Sequence, residues 1–286
     1  MKVEGKQLRP IWFDETSGAV KIIDQRKLPH EFAVVNLDTT EGLVTAIREM
    51  YVRGAPLIGV TGAYGVYLAA RECLRGTGSD GDLARACERI RAARPTAVNL
   101  SWAVDRMMAA LGEAADAPDK VAIAMKEAGK IAEEEADHCR RIGNHGLRLV
   151  EAASRRKNGG TVNILTHCNA GWLACIEYGT ATAPIYVAAE RGLDIHVWVD
   201  ETRPLNQGAR LTAWELGKAG IRHTLITDNA GGHLMQHGNV DMVIVGTDRT
   251  THTGDVANKI GTYLKALAAR QRNIKRNAVV PGSQSF

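Results

Sequence analysis

A thiol, a carboxylate and an ammonium stand out by their surroundings. Cys168 follows the apolar run "VNILTH" and opens "CNAG". Where a strand feeds a helix, free backbone amides and the helix dipole favour a thiolate, the reactive form of cysteine. The competing reading is a small buried residue, the usual fate of cysteine. Cys73, Cys87, Cys139 and Cys175 form no CxxC pair, and the odd total argues against disulfides. Cys175 falls inside the helix expected after Cys168 and reads as core. Asp248 follows "VIVGT". It is either a helix cap for "RTTHTGD" or a carboxylate for proton transfer, and in a closed apolar pocket it could act as an acid. Asn258 and Lys259 in "DVANKIG" set an amide and an ammonium beside a helix start, which suits a phosphate. Arg53 beside Gly54 in "VRGAP", and Arg94 in "RPTAV", are further anion contacts unless they serve surface ion pairs. His233 and His237 have the spacing of two metal ligands on a helix, but no third ligand accompanies them.

Two kinds of sequence must position these residues. Residues 10–13 and 19–23, around "DETSG", read as a β-hairpin. Helical stretches follow: "TTEGLVTAIREMYV" with a cap at Thr39 or Thr40, "APLIGVTGAYGVYLAARECLR", "DGDLARACERIRAA" stopped before Pro95, "AVNLSWAVDRMMAALGEAA", and a long run to residue 155. After "RRKNGG" the pattern changes. Short runs "TVNILTH", "DIHVWVD", "RHTLITD" and "VDMVIVG" alternate with helix-like segments such as "RLTAWELGKAG". That alternation implies βαβ units and a parallel sheet. The expected fold is α/β: an N-terminal hairpin and helical domain over 1–156, then a Rossmann-like domain over 157–286. Ligands of such sheets bind beyond the carboxyl ends of the strands. That rule brings together His167, Cys168 and Asn169, the segment from Asp200, Asp228 with Asn229, and Asp248 with Asn258 and Lys259.

Composition narrows the function classes. The chain has 286 residues, 45% hydrophobic and 24% charged, with a net charge of +4. Such a chain buries a sizeable core. From Lys259 onward there are six cations and no acid, so the charge surplus is terminal. A nucleic-acid binder carries a basic stripe through its fold. The surplus here reads as a solvated helix face and basic tail, or as a positive rim for an anionic small molecule. No apolar run is long enough to span a bilayer, and the first residues lack the apolar core of a leader. The expectation is a cytoplasmic protein that binds a small molecule, with neither nucleic acid nor membrane as partner. P-loop, GxGxxG and HExxH signatures are absent from the sequence.

The phrases "VRGAPLIGV", "RPTAVNLSWAVDRM", "ILTHCNAG", "DETRPLNQGARLTAWEL", "TLITDN", "VDMVIVGTDR" and "GDVANKIGTY" resemble the methylthioribose-1-phosphate isomerase family. That superfamily is shared with ribose-1,5-bisphosphate isomerase and the alpha, beta and delta subunits of translation initiation factor 2B. The likeness covers nearly all of residues 8–272. It implies conversion of 5-methylthioribose 1-phosphate to 5-methylthioribulose 1-phosphate in methionine salvage. It implies Cys168 and Asp248 as the catalytic pair, and substrate contacts from Arg53, Gly54, Ala55, Arg94, Gln207, Asn258 and Lys259. It implies a homodimer that needs neither metal nor organic cofactor. Thr247 stands where the family has Ala, and the basic "KRNAVVPGSQSF" replaces an apolar strand and a further segment, so the chain is expected to be short or incomplete there. Two other functions share the motifs: an isomerase of ribose 1,5-bisphosphate or 5-deoxyribose 1-phosphate, and a non-catalytic regulatory subunit of the translation-factor type.

Overall fold

The computed structural model describes residues 1–3, 5–76 and 79–278. The last eight residues of "KRNAVVPGSQSF" lie outside them. Packing divides the chain into two compact units, Arg9–Ala136 and Met1–Leu8 with Asp137–Phe286. The chain opens with a short antiparallel pair, β1 (Lys2–Val3) and β2 (Lys6–Gln7), which belongs to the second of these.

In the Arg9–Ala136 unit, β3 (Ile11–Asp14) and β4 (Ala19–Ile23) form the expected hairpin, with Ile11 opposite Ile22. Asp14 closes its turn by accepting from the Ser17 hydroxyl at 2.8 Å and the Thr16 amide at 3.1 Å. Lys21 and that hydroxyl hold the Asp14 carboxyl down at about 2. A third strand, β5 (Val34–Leu37), pairs with β4. Helix α1 (Thr40–Arg48) is capped by Thr39, whose Oγ1 accepts the Gly42 amide at 3.1 Å. Helix α2 (Ala55–Arg75) is buried at every residue from Pro56 to Arg71, as its lack of a polar face dictates. Helix α3 (Asp80–Ala92) starts in a Ser79–Asp82 capping box and ends before Pro95. Helix α4 (Val98–Leu111) packs on α2 so closely that a Cβ on Gly59 would lie 3.1 Å from the Asn99 carbonyl oxygen.

Helix α5 (Ala117–Arg156) runs on for 40 residues. Ala124, Ala128 and Ile131 are buried in its first half. Leu147, Val150 and Ala153 in its second half join the core of the parallel sheet. The division expected at 156/157 coincides with the end of this helix, whereas packing draws the line at 136/137, within it.

The parallel sheet begins with β6 (Val162–His167). After α6 (Ala183–Glu190) come β7 (Ile195–Asp200), α7 (Ala213–Lys218), β8 (His223–Ile226), α8 (Ala230–Gln236) and β9 (Met242–Val245). A short hairpin of β10 (Arg249–Thr250) and β11 (Val256–Ala257) precedes α9 (Thr262–Gln271) and β12 (Lys275–Ala278). The strand order is β12–β9–β6–β7–β8, with every pairing parallel. The four apolar runs expected as strands are β6, β7, β8 and β9, and the fold is the expected α/β arrangement. The order reverses at β6, whose neighbours β7 and β9 leave it in opposite directions, so the crevice beyond β6 and β9 is the switch point where such sheets bind ligands.

One expected helix, and one the sequence offered as an alternative, are replaced. The segment after Cys168 forms one 3₁₀ turn at Trp172–Ala174, and the first α-helix of that crossover is α6. Every residue from Gly171 to Ile176 is buried, so no amphipathic stripe drives a helix there. The backbone is held instead by side chains: Glu215 accepts the Leu173 amide at 3.0 Å. The "RTTHTGD" segment is a hairpin turn, closed by the Thr251 hydroxyl accepting the Asp255 amide at 3.0 Å. Threonine-rich sequence favours strand over helix. No described helix is long and apolar enough to cross a membrane.

Candidate active site

Cys168 sits one residue past the end of β6, half-buried, with a φ of 67°. A non-glycine residue in this left-handed region is uncommon, and it persists only where its surroundings impose it. Here both faces of its peptide are held. Its amide donates to Thr202 Oγ1 at 2.8 Å, and its carbonyl accepts from Thr212 Oγ1 at 2.7 Å. Asn169 Nδ2 donates to the same Thr212 oxygen at 3.0 Å. The Cys168 thiol lies 3.5 Å from Gln207 Oε1. Gln207 in turn precedes a π-helical turn, Gly208–Thr212, a rare element that recurs at functional sites. The helix dipole expected to favour a Cys168 thiolate is missing, because no α-helix starts there. Two threonine hydroxyls and an amide side chain surround the residue instead. Cys175 is core, as expected, and Cys87 and Cys139 are equally buried.

Beside Cys168, His167 is wholly buried between two oxygens. Its Nδ1 is 2.7 Å from Asp200 Oδ2 and its Nε2 is 2.8 Å from the Ile260 carbonyl. Lys265 also reaches Asp200 Oδ2, at 2.8 Å, and donates to the Asp228 carbonyl at 2.7 Å. Asp228 accepts the amides of Thr202 and Arg203 at 2.7 and 2.8 Å. His167, Asp200 and Asp228 place ligand-type atoms within 4.8 Å of one another. The Lys265 ammonium, however, stands on the carboxylate that a metal ion would need. The His233 and His237 rings lie 4.2 Å apart, tilted by 40°, at the end of α8, and the His237 ring contacts the His233 carbonyl.

Asp248 lies three residues past β9, whose Val245 is level with His167 of β6. It leads into β10 rather than a helix, so the capping role is ruled out. Its amide donates to the Ala257 carbonyl at 2.9 Å, which sets it beside Asn258 and Lys259. Asp248 is exposed, not lodged in a closed apolar pocket. Thr247 turns its hydroxyl to the Arg249 carbonyl at 2.8 Å and to Thr250 at 3.1 Å, within the hairpin. Asn258 donates to Thr262 Oγ1 at 3.0 Å at the start of α9. A cleft of about 530 Å³ opens there, lined by Val245, Asn258, Lys259, Gly261 and Tyr263 among others.

The remaining candidates belong to the other unit. Gly54 precedes α2 with a φ of 93°, a conformation open to glycine at little cost, and Ala55 is the first helical residue. Arg53 enters that turn and Arg94 enters the one before α4. The contact of Gly59 with Asn99 brings the first turns of these two helices together. Arg94 Nη1 is buried without a hydrogen-bond partner among the described residues.

The segment from Asp200, which includes Thr202, is at the expected strand end, but neither residue is singled out by the sequence, and Lys265 is not marked at all. In the sequence Lys265 belongs to the basic surplus after Lys259, expected as a solvated face, yet it is 4% exposed. No sequence pattern marks it: the His167 ring packs against Gly261, one helical turn before Lys265, a contact visible only in the fold.

A family model described as the initiation factor 2 subunit family matches residues 51–284. The methylthioribose-1-phosphate isomerase of Desulfosudis oleivorans is 63% identical over 275 residues, covering 96% of this chain and 74% of that protein. The chain belongs to this family, among its methylthioribose-1-phosphate isomerases. A crystal structure of 5-methylthioribose 1-phosphate isomerase from Pyrococcus horikoshii OT3 matches with a TM-score of 0.88 at 38% identity, covering 98% of this chain and 77% of that one. A crystal structure described as translation initiation factor eIF-2B, subunit delta, from A. fulgidus matches with a TM-score of 0.86 at 40% identity, covering 98% and 79%. The same fold thus carries both descriptions, and residues rather than architecture must separate them.

Proposed function

We propose that this protein isomerises 5-methylthioribose 1-phosphate to 5-methylthioribulose 1-phosphate, a step of methionine salvage. The observation that carries the reading is Cys168, held in a left-handed conformation at the switch point of the sheet, with Asp248 past the end of the neighbouring strand. The net reaction moves the hydrogen on C2 to C1 and the O2 hydroxyl proton to the former ring oxygen. Asp248 protonates the ring oxygen or relays the proton from O2, and its exposure keeps it open to substrate. Cys168 acts at C2, taking its proton or assisting a hydride shift. Arg53, Arg94 and Lys259 supply the charge a phosphate dianion needs. Gly54 and Ala55 offer backbone amides at a helix start, while Gln207 and Asn258 offer amide side chains. The Arg94 nitrogen that has no hydrogen-bond partner among the described residues supports this role for the arginine.

The working form we propose is a cytoplasmic homodimer. Ile260, Tyr263 and Leu264 are 79%, 72% and 68% exposed, an apolar surface that a second copy would cover. None of the five cysteines is in a disulfide, as befits a reducing compartment.

The test is incubation with 5-methylthioribose 1-phosphate, 5-deoxyribose 1-phosphate and ribose 1,5-bisphosphate in separate arms, with aldose-to-ketose conversion followed by NMR. The expected result is fastest conversion of the methylthio sugar. Preference for the bisphosphate would transfer the reading to another isomerase, and no turnover of any arm would favour the regulatory-subunit reading.

Lys259→Ala is expected to raise KM strongly with a smaller effect on kcat. The phosphate is present in ground and transition states alike, so its ammonium contributes uniform binding. Steady-state kinetics would show this, and an unchanged KM would move the phosphate to Arg53 and Arg94.

A further inference from the structure

We propose that His167 is a positioning residue, a buried staple that sets Asn258 and Lys259 in register with Cys168; the kinetic part of this inference rests on the isomerase reading above. The two segments it joins are 93 residues apart in sequence. On one side, His167 is the residue before Cys168 and cannot move without moving the thiol. On the other, its Nε2 contacts the carbonyl of Ile260, the residue after Lys259.

The ring meets an oxygen acceptor on each side. One is the Asp200 carboxylate, kept an acceptor by the Lys265 ammonium on the same oxygen; the other is a backbone carbonyl. Making both contacts requires a hydrogen on each ring nitrogen, the form in which both are donors. His167 and Lys265 then both face the buried Asp200 carboxylate, with the partly exposed Asp228 carboxylate 3.9 Å from His167 Nδ1. Lys265 ties α9 to the same cluster through the Asp228 carbonyl. Gly261, with a φ of 104°, lets the loop close onto the ring: a Cβ there would lie 2.9 Å from His167 Cε1. Loop, helix and thiol strand are therefore pinned at one point.

A staple of this kind predicts a kinetic signature unlike that of a phosphate ligand. If the loop shifts, the phosphate still binds, but C2 is carried out of register with the thiol. A misplacement of about 1 Å can cost roughly 10²-fold in rate. His167→Gln, which cannot donate at both ends, and Gly261→Ala, which pushes the loop off the ring, approach the contact from opposite sides. Both are expected to lower kcat roughly 10²-fold with KM and ketose-product affinity little changed, while circular dichroism reports a folded protein. In the wild type, ¹⁵N NMR of the histidines is expected to show both His167 ring nitrogens protonated, and Gly261→Ala to shift the Nε2 signal.

A raised KM at unchanged kcat in either folded variant would overturn the staple, as would wild-type kinetics in both. A bare ring nitrogen in the wild type would overturn it whatever the variants do. If His167→Gln fails to fold, Gly261→Ala decides. If the wild type turns over no sugar phosphate, the isomerase reading fails, and the ring-nitrogen signals and their shift in Gly261→Ala still decide the staple.

Discussion

Cys168→Ser is expected to abolish turnover and leave the fold intact. The substitution is nearly isosteric, and the bonds that fix the residue run through its peptide, to Thr202 and Thr212, so they survive it. The left-handed backbone is as costly for serine as for cysteine and sets the two proteins no further apart. What changes is the acidity: a serine hydroxyl yields an anion far less readily than a thiol. Turnover should vanish while the melting temperature stays within a few degrees. Normal activity in the mutant would remove the thiol from the mechanism. Cys87→Ala is the matched control. That thiol is buried, and burial pushes it up to about 11, so it takes no part in chemistry near neutral pH. Its loss should cost about 1–2 kcal/mol of stability and leave the kinetics alone.

Asp248→Asn is expected to lower kcat by roughly 10²–10⁴-fold, the usual contribution of general acid–base catalysis. Asparagine keeps the size of the side chain but cannot exchange a proton. The structure sharpens this test, because Asp248 caps no helix and is exposed, so no buried partner is orphaned by the change. Its backbone bond to Ala257 does not depend on the side chain. Affinity for the ketose product should be nearly unchanged, since the phosphate contacts remain. Wild-type turnover would defeat the proton-transfer role even with the family membership intact.

The central strands β6, β7 and β9 were legible because each is a mostly apolar run bounded by polar or glycine-containing turns and largely buried, whereas the edge strand β8 carries His223 and Thr224 and leaves Leu225 exposed. Their carboxyl ends could then be read directly, which is how His167, Cys168, Asp228 and Asp248 were found together. The crossover after Cys168 was not legible. "GWLACIEYG" is apolar enough for a helix, yet it is stitched down by Glu215, a residue forty-two positions away at Leu173. The burial of Lys265 is not legible for a similar reason. In a helix rich in alanine and leucine a lysine reads as a solvated charge, and only the carboxylate of Asp200, at the end of another strand, makes burial tolerable. Local pattern reports what a segment buries. It does not report which distant charge it meets.

That distance also has a meaning in time. A ribosome delivers the thiol and its histidine long before Ile260, Gly261 and Lys265 exist. Until those residues emerge, the nascent chain holds a cysteine whose strand has both of its sheet neighbours but whose neighbouring imidazole has only one of its two oxygens within reach. Long-range closures of this kind come late in folding, since the loop entropy is spent before the contact returns anything. The chemistry is therefore among the later parts of the sheet unit to become competent, and a chain stalled in synthesis before residue 260 carries the thiol without the contact that fixes the loop beside it.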